Sequence, residues 1–189
     1  MPHNPKKIIL MILRTQRLVL KPILDSDLNT LHRIFTDSYV RRYLCDGEIW
    51  SLQQVEEMLG ENQKLFAEKK FGLWLIETNT EKEVIGFVGL WYFFDEEQPQ
   101  LVYALLPTAT KKGYATEAAT KIIEYCFDEL GFEYLVASCV KRSYPVGNRP
   151  NTDSQKVAER LSMRQVEERI VHENPILFFR LDKSKLAGV

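Results

Sequence analysis

The sequence is short of the residues that build disulfide frameworks and metal centres. Only three cysteines and three histidines occur among 189 residues. Cys45, Cys126 and Cys139 are far apart, odd in number and in no Cys-x-x-Cys pair. That pattern argues against a disulfide scaffold and a zinc site, and it suits a reducing compartment. Cys126 and Cys139 read as small core residues. Long hydrophobic runs are missing too. The stretch Ile8–Leu13 follows two lysines, but it has no small-residue cleavage site and leads into Arg14 and Arg17. It is too short for a signal-peptide core or a bilayer span. Neither charge is in excess: 25 basic residues face 26 acidic ones, a net charge of −1. A broad basic face for nucleic acid is therefore not favoured. These absences point to a cytoplasmic protein that engages neither membrane nor nucleic acid. No internal repeat or low-complexity tract interrupts the chain.

What remains is ordinary globular composition, with 45% hydrophobic and 27% charged residues. The length fits one domain that can bury its core without crosslinks. Residues 1–10 read as an N-terminal extension and residues 11–189 as a single domain.

The periodicities predict an α/β chain. Ile12–Pro22 reads as a first strand, ended by proline. Asp25-Ser26-Asp27 has the short oxygen side chains of a helix start, and Leu28, Leu31 and Phe35 follow at helical spacing. Ser51 and Gln54 form a capping-box pattern ahead of the stripe Leu52, Val55, Leu59 and Phe66. Strands are expected at Leu73–Glu77, Val84–Phe94 and Leu101–Leu106. Gly86 and Gly89 within the second of these mark a bulge or a close backbone approach. A helix over Thr116–Leu130 has Gly131 at its C-terminal cap. A strand at Tyr134–Val140, a polar loop at Lys141–Pro150, a short helix at Asn151–Leu161 and two last strands, Val166–Val171 and Ile176–Leu181, complete the order. Short turns make the middle strands antiparallel, whereas the unit from Leu101 to Val140 should be a right-handed parallel crossover.

The segment Pro107–Ala118 lies between a strand and a helix start. Free helix amides and the positive helix end favour an anion there, small residues admit it closely, and Lys111 and Lys112 add charge at the rim. From residues alone this is a phosphate or pyrophosphate site, or else a tight turn with surface lysines. It has neither the glycines of a dinucleotide fingerprint nor the spacing of a P-loop.

Lys112-Gly113-Tyr114-Ala115-Thr116-Glu117-Ala118 resembles the acetyl-CoA pyrophosphate loop of the GNAT superfamily, whose pattern Q/R-x-x-G-x-G/A falls on Thr110 to Ala115. Thr110 stands where Gln or Arg is usual. Leu13-Arg14-Thr15-Gln16-Arg17-Leu18 is similar to the opening L-R-T-x-R-L of the RimJ/RimL-like branch, whose members acetylate ribosomal-protein N-termini. Val84-Ile85-Gly86-Phe87-Val88-Gly89-Leu90 is similar to its I-G-x-x-G-L strand. Asn151-Thr152-Asp153-Ser154 and Val157-Ala158-Glu159-Arg160-Leu161 resemble N-x-x-S followed by V-x-E-K-L. The ordered set covers nearly the whole chain from Ile12.

The resemblance implies a mixed, mostly antiparallel central sheet with a parallel strand pair splayed around the acyl-CoA site. It implies transfer of an acetyl group from acetyl-CoA directly to an amine, with no protein nucleophile and no metal. The amides of Thr110, Lys111, Lys112, Gly113, Tyr114, Ala115 and Thr116 would cradle the pyrophosphate. The strand edge at Tyr103, Ala104 and Leu105 would pair with the pantetheine arm, and Asn151 would hydrogen-bond it. Ser154 would donate a proton to the departing sulfur, or else cap a helix. Tyr103 would assist, or else pack as a strand aromatic. Relatives often carry a carboxylate base where Gln100 stands, and glutamine cannot take a proton. Glu77, Asp95 and Glu97 are alternatives acting through water. His32 and His172 read as structural.

The acceptor is a protein N-terminus or a small-molecule amine, and the chain is a monomer or homodimer. A catalytically inactive CoA-binding module is the alternative reading, and a nucleotide-binding protein unrelated to CoA is a weaker third.

Overall fold

A computed structural model describes residues 11–142 and 149–185. The expected N-terminal extension and most of the Lys141–Pro150 loop lie outside the described residues. The strands are β1 (Leu13–Arg14), β2 (Leu18–Pro22), β3 (Leu73–Thr78), β4 (Val84–Trp91), β5 (Gln100–Leu105), β6 (Tyr134–Val140), β7 (Arg164–Val171) and β8 (Asn174–Asp182). The helices are α1 (Leu28–Thr36), α2 (Leu52–Lys69), α3 (Tyr114–Asp128) and α4 (Thr152–Arg160).

The strands form one eight-stranded sheet in the order β1-β2-β3-β4-β5-β6-β8-β7. Every neighbouring pair is antiparallel except β5 and β6, which are parallel. This is the mixed sheet implied by the resemblance. The expected first strand is instead a hairpin, with Leu13 opposite Leu20 and Arg14 opposite Val19. Thr15 makes the turn by accepting the Leu18 amide on its hydroxyl at 2.9 Å. β4 also stops earlier than expected, because Phe94 and Asp95 turn the chain with positive φ.

Both faces of the sheet are covered, so its central strands are apolar almost throughout. On β3, Trp74 and Ile76 face α3, which buries Ala118, Ala119, Ile122, Ile123, Cys126 and Phe127. Their neighbours Leu73 and Leu75 face the other way, against Leu31, Ile34 and Phe35 of α1 and Val55 and Leu59 of α2. The alternation of strand side chains thus feeds two cores.

Local chemistry sets the helix starts. Ser51 accepts the Gln54 amide at 3.2 Å while Gln54 accepts the Ser51 amide at 2.8 Å, the reciprocal cap expected from sequence. Buried Asn62 accepts the Leu73 amide at 2.7 Å and so ties α2 to the start of β3.

Two glycines bring strands into close register. A Cβ on Gly86 would lie 2.0 Å from the Ala104 carbonyl oxygen, and one on Gly89 would lie 2.0 Å from that of Gly72. No side chain fits at either position. The backbone of β5 is therefore seated directly on β4.

Candidate active site

The parallel pair is only begun. β5 and β6 are in register at Gln100–Val136 and Leu101–Ala137 and no further, whereas β5 stays paired with β4 as far as Leu105. From Val102 onward the β6-facing edge of β5 is open. A cavity of about 360 Å³ occupies the wedge. Strand β5 lines it with Tyr103, Ala104 and Leu105; the loop and first turn of α3 add Thr110, Lys111, Gly113, Tyr114, Ala115 and Thr116. Asn151 and Ser154 of the α4 start complete the set drawn from sequence. Lys112 is the exception. Its side chain is not on the cavity wall, and its carbonyl accepts a hydrogen bond from Arg17 Nη1 at 3.0 Å.

The start of α3 is built to leave amides free. Gly113 sits at the N-cap with φ 80°, a conformation that glycine adopts without steric cost, and no side chain caps the helix. The first-turn amides thus point outward with the positive end of the helix behind them. Thr116 lines the cavity, and its hydroxyl is buried without a hydrogen-bond partner. An orphaned buried hydroxyl beside uncapped amides is the signature of a site completed by a ligand with acceptor oxygens.

A second network fixes the loop. Thr15 Oγ1 donates to Glu117 Oε1 at 2.5 Å, the Arg17 amide donates to the same oxygen at 2.9 Å, and Arg17 Nε donates to Oε2 at 2.6 Å. The Arg17 guanidinium also stacks over the Tyr114 ring, 4.6 Å from its centroid. Burial pushes the Glu117 carboxyl upward, but the bonds from Thr15 and Arg17 outweigh it and hold the group below the ordinary carboxylate range.

Across the cavity, the Tyr103 hydroxyl lies 3.1 Å from Ser154 Oγ and donates to the Ser154 carbonyl at 3.2 Å. Burial raises the Tyr103 phenol far above its usual range, so it stays protonated at neutral pH. Asn151 is the residue that caps α4: its Oδ1 accepts the Ser154 amide at 3.4 Å. The Ser154 hydroxyl is therefore not the cap of this helix. The Cys139 thiol, which read as a core group, lines the cavity beside Ser154. Burial pushes it up to about 11, against the opposing effect of the Ser154 hydrogen bond.

Gln100 is completely buried. Its Oε1 accepts the Ser138 hydroxyl at 2.5 Å, and its Nε2 has no partner. It lines neither this cavity nor the adjoining one. Glu77 is ion-paired with Lys21 at 2.6 Å, and neither Glu77, Asp95 nor Glu97 reaches a cavity wall. The carboxylates that do are Asp153 and, next door, Asp46. His32 sits with Nε2 3.0 Å from the Trp50 carbonyl, a structural contact.

Sequence reasoning missed the contribution of residues 37–50. Tyr39, Tyr43 and Leu44 wall the cavity from a segment with no strand or α-helical period. It also missed Lys156 and Arg160, two cations on the same wall whose i, i+4 spacing was a readable signal. Among the described residues no group of three His, Cys, Asp or Glu could hold a metal ion, and no helix is long and apolar enough to cross a membrane.

Comparison with known proteins gives this geometry its context. The family model described as an acetyltransferase (GNAT) domain matches residues 17–164. The uncharacterized N-acetyltransferase YoaA of Bacillus subtilis (strain 168) is 30% identical over 127 residues, covering 67% of this chain and 72% of its own. Two solved structures share the fold. One is RimL, a ribosomal α-N-protein acetyltransferase in complex with coenzyme A, with a TM-score of 0.74 at 14% identity over 90% of this chain and 97% of that one. The other is spermidine N-acetyltransferase from Vibrio cholerae in complex with CoA and spermine, with a TM-score of 0.73 at 15% identity over 92% and 100%. The matched segment runs from the β1–β2 turn to the start of β7 and takes in the whole wedge, and on that ground the chain belongs to the GNAT acetyltransferase family.

Proposed function

We propose that the chain is an N-acetyltransferase that carries an acetyl group from acetyl-CoA directly to an amine, with the cavity between β5 and β6 as its acyl-CoA site. One observation carries the reading: the open β5 edge, the uncapped α3 amides and the Tyr103–Ser154 pair all face the same cavity. Binding of CoA by the RimL and spermidine acetyltransferase structures supports it.

Each wall has a distinct task. The amides from Thr110 to Thr116, with the Thr116 hydroxyl, take the pyrophosphate. Lys111, Lys156 and Arg160 supply cations for the remaining phosphate charge. The β5 edge at Tyr103, Ala104 and Leu105 pairs with the amides of the pantetheine arm as an added strand, and Asn151 donates to it. Lys112 acts through its backbone, which Arg17 holds in place.

Holding both reactants supplies much of the rate. The amine nitrogen attacks the thioester carbon, a C–N bond forms, the C–S bond breaks, and the nitrogen sheds a proton to solvent. Ser154 Oγ, beside the neutral Tyr103 hydroxyl, gives a proton to the departing sulfur and regains one from solvent. Gln100, buried and bonded to Ser138, takes no part. The three free thiols suit a reducing, cytoplasmic setting.

Thiol release from acetyl-CoA in the presence of a mixed amine panel tests this reading. Amine-dependent release that falls in Ser154→Ala supports it. Normal acetyl-CoA binding with no release for any amine would identify an inactive CoA-binding module instead.

A further inference from the structure

A second cavity of about 370 Å³ adjoins the first on the far side of the β5–β6 wedge. The two share the walls Tyr43, Leu44, Leu101, Val102, Ser138 and Cys139. A group lying in the second cavity therefore reaches the point where the acyl chain would end. Its volume falls within the range of small-molecule pockets.

Its chemistry is aromatic. Phe35 stacks on Trp50 with centroids 5.1 Å apart and planes 9° apart, and on Phe87 at 5.2 Å. Trp91, Phe93 and Phe94 line the same space. Charge is nearly absent. Among the described residues, Asp46 is the only carboxylate on the wall, His172 is the only basic side chain, and no lysine or arginine is present there.

We infer that the acceptor is a small molecule with one amine on an aromatic or bulky apolar body and no second charged group. This rests on the acetyl-transfer reading above and narrows it. The walls bury an aryl ring well, and such rings gain further from aromatic neighbours. A polyamine or an aminoglycoside would bring several ammonium groups to a wall with one carboxylate, leaving the others desolvated and unpaired. A free amino acid would bring a carboxylate to a wall without a lysine or arginine. Asp46 can pair with the single ammonium as it enters. The ammonium gives one proton to solvent, the neutral nitrogen forms the C–N bond as the C–S bond breaks, its second proton passes to solvent, and the sulfur takes its proton from Ser154.

The test compares kcat/KM for phenethylamine and tryptamine with that for spermidine, kanamycin, phenylalanine and a phenylalanine-led peptide. Acetyl-CoA binding is measured by calorimetry on the same protein. The aryl amines should exceed spermidine, kanamycin and phenylalanine by about 100-fold or more. Saturable quenching of tryptophan emission should accompany their binding, because Trp50 and Trp91 are wall residues. Phe94→Glu, at a position 38% exposed and hence tolerant of change, should lower turnover of aryl amines about tenfold and narrow their lead over spermidine. Acetyl-CoA binding with preference for spermidine, kanamycin or phenylalanine would overturn the acceptor class alone. A phenylalanine-led peptide outranking both aryl amines would overturn it too, because the body would then be a chain. Failure to bind acetyl-CoA would remove the acetyl-transfer reading itself.

Discussion

Arg17 and Glu117 are 100 positions apart in sequence, yet they meet through two hydrogen bonds, one from the Arg17 backbone amide and one from its guanidinium. The pair joins the β1–β2 turn to the first turn of α3, and Arg17 goes on to hold the Lys112 carbonyl. The loop that faces the β5–β6 cavity is thus braced by residues that do not line it.

Removing that brace should act on affinity through loop geometry. Glu117→Gln and Arg17→Ala are each expected to weaken acetyl-CoA binding about tenfold. The Glu117 change should cost about 2 kcal/mol of stability, in the range of charge-assisted hydrogen bonds. Arg17 is 45% exposed at its side chain, so its charge contribution is discounted for solvent screening. Calorimetry and thermal melts check both values.

The same group sets an acid limit. The Glu117 carboxyl is held below its ordinary range in the folded chain. The unfolded state therefore binds its proton first as pH falls. The stabilisation is fully present above the ordinary glutamate value of about 4.3, and it is lost as pH drops through the lower folded value. Melting temperature between pH 6 and 3 should fall less steeply in Glu117→Gln than in the native chain.

An alkaline limit follows with the opposite sign. Burial pushes Cys126 up to about 12 and Cys139 up to about 11. Above the ordinary thiol range the unfolded chain loses these protons while the folded chain keeps them, so stability declines as pH rises from about 8.5 toward 11. Cys126→Ala should flatten that decline in melts across this interval, whatever its own cost in packing.

Thr116→Val separates ligand binding from folding. The Thr116 hydroxyl is buried and unpartnered, so replacing it by a methyl should leave stability unchanged or raise it slightly. Acetyl-CoA affinity should drop by about three- to tenfold as the acceptor loses a donor. A melt and a titration on the same variant check the two halves.

Gly86→Ala should fail for a steric reason. The new Cβ would lie 2.0 Å from the Ala104 carbonyl oxygen, within the strand pair that seats the β5 edge. A loss of about 3 kcal/mol or more is expected in denaturant unfolding.

Much of this architecture was readable from the sequence, for reasons that individual residues make clear. Ser51 and Gln54 announce α2 because a reciprocal cap needs those side chains at that spacing, and the structure contains it. Gly86 and Gly89 within an apolar strand signalled close backbone approach, and both have a carbonyl where a Cβ would be. The Pro107–Ala118 loop reads as a helix start with exposed amides, and the structure leaves that start without a side-chain cap. Contacts that cross the fold were not readable. Nothing local in Thr15 or Arg17 says that they grip Glu117. Tyr39, Tyr43 and Leu44 have no period to place them, since the segment after α1 follows the cavity rather than a regular element. Cys139 read as a core residue because a lone cysteine is usually a small buried group, and the divergence of β5 from β6 brings it to the cavity.

The central claim is that the wedge between β5 and β6 binds acetyl-CoA, and calorimetric titration of the native chain beside Gly113→Trp tests it most directly. The substitution places a bulky side chain at a φ of 80° on a loop that lines the cavity, with its Cβ 3.4 Å from Arg17 Nη2, so it strains the loop and displaces its brace. The account predicts micromolar binding by the native chain and its loss in a variant that still folds by circular dichroism. Absence of binding by the folded native chain, or binding unchanged in the variant, would contradict it.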